Sequence, residues 1–418
     1  MNENNFSDHT SQSTLKSTTI LMRMKQNLAQ TFSRLDWKII SLTSILIIIG
    51  LVSVFSATMP NDPVGTLRTQ IFAITLGVIA GLVILSVPSK WLTDYRLIFL
   101  SNFVILALMF VTLLIGKIGG GARSWLMIVN RSFQPSEFFK LTSVWLIAWA
   151  INYSDREEIL SQKKIRMSVD KLALLTILGG CFLIILQPDM GMLMIIAISL
   201  FLVKLYIDGS TKWVSRFYGG MIAVYIGLHL VSNLFDEALV SYQGMMEHFF
   251  ERVAVFTNPF KYPLAGGYQL IEGYKALADG GLLGVGLFNG QAKQGRLPEI
   301  HTDFIFANIG EELGLVGCLV IIILYTILFL ILYQRAARSR DVFRRSMIVG
   351  IANMLAVQTF TNIAGLASLI PLTGVTLPFI SVGGTSLLVS IIMIAMVLRM
   401  IVEEENSKEL RLISNKKG

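Results

Sequence analysis

Apolar residues fill most of the chain between Ile39 and Val402, in long runs broken by short polar, glycine- or proline-bearing turns. A helix needs about 20 apolar residues to cross about 30 Å of hydrocarbon. On that measure the pattern predicts ten membrane spans, centred on 39–58, 71–88, 97–116, 138–153, 172–187, 190–207, 217–234, 313–333, 346–370 and 384–402. The fifth and sixth are separated only by "QPDMG", a turn signal by virtue of its proline, aspartate and glycine. One long interval, 235–302, lacks a spanning run and precedes the eighth span. The expected fold is therefore an all-α polytopic integral membrane protein with one large loop. Residues 1–35 are rich in Ser, Thr, Asn and Gln and predict a disordered tail. The membrane domain covers 36–403, and 404–418 form a second tail. The first apolar run is too long for a signal-peptide core and reads as a retained helix.

Charge adds an orientation. An even number of spans puts both ends on one side, and most of the 35 Lys and Arg fall there: Lys16 to Lys38 before the first span, Arg156 to Lys171 in one loop, Arg335 to Arg345 in another. By the positive-inside rule both termini are cytoplasmic. The segments 117–137, 235–302 and 372–384 then face outward. The net charge of +8 follows from this bias and from anionic lipid headgroups, and does not call for nucleic acid. With 54% hydrophobic and 15% charged residues, a soluble enzyme is excluded. Cys181 and Cys318 lie inside apolar runs and read as small core residues. The four histidines have no metal-ligand spacing, which argues against a zinc site.

Ionisable residues at membrane depth are costly and are functional candidates by default. Glu137 and Lys140, in "FQPSEFFK", are spaced i and i+3 on one helix face, where an ion pair could form. The same stretch also reads as a helix start, with Pro135 in the first turn and Ser136 or Glu137 capping free amides. Asp189 in "QPDMG" is either turn chemistry or part of a site. Asp303 in "RLPEIHTDFIF" has two readings as well: Thr302 or Asp303 could cap the eighth helix, or Asp303 could do chemistry. Glu299, Asp303, Glu311 and Glu312 would gather around one helix entrance, a cluster whose repulsion hints at a ligand. Lys117, Arg123, Lys140 and Arg296 on the same side could receive a phosphate-bearing substrate. No Ser-His-Asp set, phosphate-cradling loop or cysteine nucleophile accompanies them.

Four motifs in order, "GGARSWL" with "FQPSEFFK", "QPDMG", "LPEIHTDFIFANIGEELGLVG" and "NIAGLASLIPLTGVTLPFISVGGTS", resemble those of the SEDS family (shape, elongation, division and sporulation) over about Trp37 to Val402. The resemblance, closer to its FtsW branch than to RodA, implies a peptidoglycan glycosyltransferase that polymerises lipid II at the outer face of the bacterial cytoplasmic membrane. Asp303 then falls on the family's essential aspartate and would be the general base. Glu137 and Lys140 fall on positions lining a central cavity. With Arg123, Lys117, Asp189, Glu299, His301, Thr302, Glu311, Ser381, Gly383 and Gly384 they make the implied substrate-binding set. Ser124 stands where many members carry Arg, "QPDMGM" has Met192 in place of a hydroxyl, and Gly273 replaces a usual Ser.

The implied partners are lipid II, the nascent glycan strand, a single-span class B penicillin-binding protein that crosslinks the product, and other division or elongation membrane proteins. No cofactor is required by the motifs, and a divalent cation, Mg or Mn, is left open. Two other classes compete: a lipid II flippase, which needs only a polar cavity, and a non-catalytic scaffold, which needs only surfaces. Neither requires one carboxylate at an outer helix end.

Overall fold

A computed structural model describes residues 31–417 apart from 120–121, 129–130, 156–162, 245 and 265. Most of the expected amino-terminal tail lies outside the described residues. The elements run α1 (Trp37–Thr58), α2 (Pro63–Ser86), α3 (Tyr95–Ile115), β1 (Lys117–Gly119), β2 (Ala122–Ile128), β3 (Arg131–Phe133) and α4 (Pro135–Ser154). There follow α5 (Lys163–Leu186), α6 (Met190–Asp208), α7 (Thr211–Ser241), α8 (Glu247–Val255), α9 (Gly267–Gly280), α10 (Ile305–Arg338), α11 (Val342–Leu366) and α12 (Gly384–Lys417).

Among the described residues, nine helices are long and apolar enough to cross a membrane. The fourth expected span is the one left out. It forms α4, a 20-residue helix, but its sequence is interrupted by Ser136, Glu137, Lys140, Thr142 and Ser143, all buried. Because α4 packs against α3, α11 and α5, its polar side chains meet protein and not lipid. The bundle is organised around α11 and α12, whose apolar windows are 78% and 83% buried, whereas that of α7 is 6% buried. That contrast makes α7 peripheral. Close packing at the centre rests on small residues: a Cβ on Gly77 or Gly81 of α2 would come within 3.0 Å of Ile391 or Ala395 of α12.

Two features differ from the hydropathy reading. The segment after α3 is a three-stranded antiparallel sheet in the order β1-β2-β3, a small β element in an otherwise helical chain. Its strands of 3, 7 and 3 residues are too short for a hydropathy run. Their signal is alternation, with Ala122, Ser124 and Leu126 buried between exposed Arg123 and Met127. At the other end of the chain, the segment expected as a carboxy-terminal tail continues α12 as helix to Lys417.

The feature that positions everything near Asp303 is a break in α10. Gly314 has φ 67° and ψ −168°, a conformation closed to other residues, so the helix stops and restarts there. Four backbone groups would be left bare. The loop after α9 fills them: Val285 and Gly286 donate to the carbonyls of Glu311 and Glu312 at 3.0 Å, and Leu315 and Val316 donate to those of Gly281 and Leu282 at 2.9 and 3.2 Å. Gly284, at φ +79°, is held so close that a Cβ would sit 2.2 Å from the Glu312 carbonyl oxygen. Gly284→Ala is therefore expected to destabilise the purified protein by at least about 1–3 kcal/mol in thermal unfolding. Gly219→Ala, in α7 with open space around the new methyl, should be neutral or slightly stabilising. Equal melting of the two variants would contradict this account of the break.

Candidate active site

Asp303 lies two residues before α10 and is 7% exposed. It does not cap the helix. Phe304 is the N-cap residue and supplies no side-chain bond. The Thr302 hydroxyl faces three acceptors, the Glu299 carbonyl at 3.0 Å and the carboxylates of Glu299 and Asp303 at 2.8 Å each. It has one proton and serves one of them at a time. The backbone around Asp303 is fixed from other elements. Asn362 of α11 donates from one amide nitrogen to the carbonyls of Asp303 and Val375, both at 2.8 Å. Val382 donates to the His301 carbonyl at 2.8 Å, which joins the "HTDF" and "SVGG" motifs. Gly383 and Gly384, where α12 starts, therefore lie beside the Asp303 segment.

The expected cluster of four carboxylates is not found. Glu299 stays with Asp303, but Glu311 and Glu312 lie about two turns further along α10 and have their own partners. Glu311 accepts from the backbone amides of Gln291 and Ala292, and Glu312 pairs with Lys293 at 2.8 Å. Consecutive acids in sequence were carried apart by the rise of the helix.

Asp189 does two jobs. One carboxylate oxygen caps α6 by accepting from the Met192 amide at 3.1 Å, and the other accepts from Gln134 at 3.0 Å. The turn reading was right, and the turn also belongs to a cleft lined by Asp189, His248, Arg252, Pro371, Leu372 and Thr373. The backbone N–H of Arg123 donates to the Gln187 carbonyl at 3.2 Å, tying the sheet to this turn. The side chains of Lys117, Arg123 and Arg296 are exposed.

Glu137 and Lys140 form the ion pair that their spacing allowed, at 2.6 Å with side chains 5% and 2% exposed. The helix start expected there is also found, with Pro135 opening α4 and Glu137 in its first turn, but not its capping by side chains: Gln134 is the N-cap residue, and the buried Ser136 hydroxyl has no partner. Lys140 also donates to Gln358 at 2.6 Å, and Gln358 donates onward to Thr376 and Ser386. Ser381 is committed to its own turn, accepting from the Leu377 amide at 2.8 Å.

The cation that sequence reasoning passed over is Arg252 of α8. Its guanidinium packs against the backbone at Gly374, where a Cβ would come within 3.2 Å of it. Burial pushes the Asp303 carboxyl above its ordinary value of 3.8, and the Arg252 charge and the Thr302 hydroxyl oppose that shift. Burial likewise raises Asp189, opposed by the Met192 amide, by Lys140 and by Arg252. One guanidinium thus acts on both acids. No sequence signal singled it out beyond its place on an amphipathic helix in the large loop. Among the described residues, no three His, Cys, Asp or Glu side chains gather to hold a metal ion.

A buried acid just before a broken apolar helix, and a neighbouring cleft that holds a second acid and one guanidinium, sit in a bundle of membrane-length helices and define a polytopic membrane protein. The chain matches the family described as cell cycle protein (FtsW, RodA, SpoVE) over residues 34–406. It is 33% identical, over 90% of its length and 94% of the relative's, to a probable peptidoglycan glycosyltransferase FtsW of Saccharophagus degradans. Its fold resembles a chain of a peptidoglycan synthase complex that coordinates polymerization and crosslinking, with a TM-score of 0.69 and 26% identity over 88% of this chain and 98% of that one. It also resembles the rod shape determining protein RodA of Thermus thermophilus, with a TM-score of 0.60 and 25% identity over 88% and 97%. The chain belongs to the FtsW/RodA/SpoVE family, the SEDS proteins.

Lys140→Met would leave the Glu137 charge buried without a partner, and is expected to cost about 3–5 kcal/mol in unfolding experiments. Glu137→Gln combined with Lys140→Met should recover most of that loss. A single variant as stable as wild type would show that the pair is not buried as described.

Proposed function

We propose that this protein is a peptidoglycan glycosyltransferase that polymerises lipid II at the outer face of the bacterial cytoplasmic membrane, with Asp303 as general base. The observation that carries the reading is the placement of Asp303: buried, held by Asn362 and Thr302, and within the field of Arg252.

The chemistry asks for three things. An acceptor hydroxyl must lose its proton, a phosphate-bearing group must leave, and water must be kept away. Asp303 takes the proton from the C4 hydroxyl of the GlcNAc of incoming lipid II. The oxygen forms a bond to C1 of the MurNAc at the end of the growing strand, and the bond from C1 to the pyrophosphate oxygen breaks. Undecaprenyl pyrophosphate leaves with the electron pair. Burial makes Asp303 a stronger base than an exposed carboxylate, because its charged form is poorly solvated. Of the candidate cations, Lys140 is already neutralised by Glu137. Lys117, Arg123 and Arg296 are exposed, so Arg252, which lines the cleft and acts on Asp303, is assigned to the pyrophosphate, and Asp189 to orienting sugar hydroxyls. Asn362 and Thr302 keep Asp303 in place.

The partner is a peptidoglycan synthase subunit, here a class B penicillin-binding protein that crosslinks the strand as it emerges. The likeness to a chain of a peptidoglycan synthase complex supports this.

Asp303→Asn is expected to abolish polymer formation from purified lipid II, with expression and partner binding intact. Full polymerisation by that variant, with the partner's own polymerase activity excluded, would overturn the assignment. The pH dependence supplies a second test. Protonation removes the base, so kcat falls as pH drops through the Asp303 pKa, and burial sets that fall above the ordinary value of 3.8. Because the Arg252 charge lowers this pKa, Arg252→Met should move the acid limb to higher pH. A limb that stays in place would refute the coupling.

A further inference from the structure

Two charged residues that the proposed reaction does not use are among the most deeply buried in the molecule. Lys293 and Glu312 are each 2% exposed and lie 2.8 Å apart. The Lys293 ammonium also donates to the Ser56 hydroxyl at 2.9 Å, and Ser56 donates in turn to Glu312. These three residues come from three places: α1, the turn Ala292–Arg296, and the last residues of α10 before its break at Gly314. Next to them Glu311, 1% exposed, accepts from the Gln291 amide at 2.7 Å and from that of Ala292. One turn earlier on the same face, spaced i, i+3 and i+4, the fully buried Asn308 has neither amide atom paired.

The chain from Gln291 to Asp303 is thus tied at both ends. The ionic group holds one end, and Asn362 with Val382 holds the other. Between them Leu297 and Ile300, 3% and 5% exposed, keep the strap seated in the core. An ion pair in this setting is a poor device for stability, since the desolvation of two charges offsets their attraction and an apolar pair of similar volume often does as well. It differs from an apolar pair in register. The ammonium must satisfy Glu312 and Ser56 from one position, whereas a methyl-ended side chain could slide. A displacement at Lys293 would reach Asp303 along the strap, and an error of about 1 Å at a reacting group can cost on the order of 100-fold in rate.

We propose that the Lys293–Glu312 pair, with Ser56, is a positioning lock that sets where Asp303 stands. This rests on the reading of Asp303 as the base. The lock does not touch substrate and acts only through the strap.

The test uses the full chain in liposomes with purified lipid II. Lys293→Met/Glu312→Leu removes both charges together and leaves no orphan. It should melt close to wild type and keep KM for lipid II within about twofold, while kcat falls roughly 10- to 100-fold. Amide hydrogen exchange over 291–303 should rise roughly tenfold, with exchange in α11 and α12 unchanged. Wild-type kcat overturns the proposal, whether or not exchange rises, and so does a kcat loss without faster exchange in the strap. Should the double variant fail to fold, Ser56→Ala, which keeps both charges, carries the test. It should raise exchange in the same strap and lower kcat several-fold, and no change in either overturns the lock. Activity of Asp303→Asn is measured separately and bears on the base assignment alone.

Discussion

A backbone amide or carbonyl without a partner in hydrocarbon costs several kcal/mol, and a membrane helix cannot break unless other protein groups take over its hydrogen bonds. That constraint governs this molecule. Once Gly314 interrupts α10, the loop from Gly281 to Gly286 has to lie against the break, since its amides and carbonyls replace the missing ones. With the loop fixed, the chain that follows must return to the start of α10, pinned on the way by the buried Lys293, Leu297 and Ile300. Its arrival sets Asp303 at the mouth of the bundle, under Asn362 and beside the turn that opens α12. Gly280, Gly284 and Gly314 follow from the same need for close backbone approach.

The second organising effect is the spending of charge. Lys140 is consumed by Glu137 and Lys293 by Glu312, each pair almost wholly buried. Such pairs leave little net field for a ligand, because most of each charge is already answered at close range. Arg252 stands apart: half-buried on the cleft, it faces two acids that burial has made reluctant to ionise. The molecule thus separates cations that hold structure, Lys140 and Lys293, from Arg252 on the cleft. Glu311 and Glu312 are likewise committed to partners of their own, whereas Asp303, among the described residues, is paired with no cation at close range.

Much of this was legible in the order of residues, and the remainder was not for identifiable reasons. Spans showed as apolar runs because hydrocarbon thickness imposes one length, and the Glu137–Lys140 pair showed because i and i+3 share a helix face. Asp303 was marked by its motif. The break at Gly314 was hidden: a lone glycine in an apolar run is normally tolerated, and its φ is set by the loop that packs on it. The four-carboxylate cluster does not form because nearness along the chain is not nearness in space: α10 carries Glu311 and Glu312 away from the entrance. Arg252 was missed because its closeness to Asp303 comes from the packing of α8, and the sheet because strands of three residues leave almost no hydropathy trace.

The central claim is that a buried carboxylate, delivered by a broken helix, takes the proton from the acceptor sugar. Chemical rescue tests it most directly. Asp303→Ala, assayed with purified lipid II and increasing formate or acetate, is expected to be inactive alone and to regain polymerisation as the carboxylate concentration rises, more with acetate than with the weaker base formate. Polymerisation by Asp303→Ala at the wild-type rate with no carboxylate added would contradict the claim.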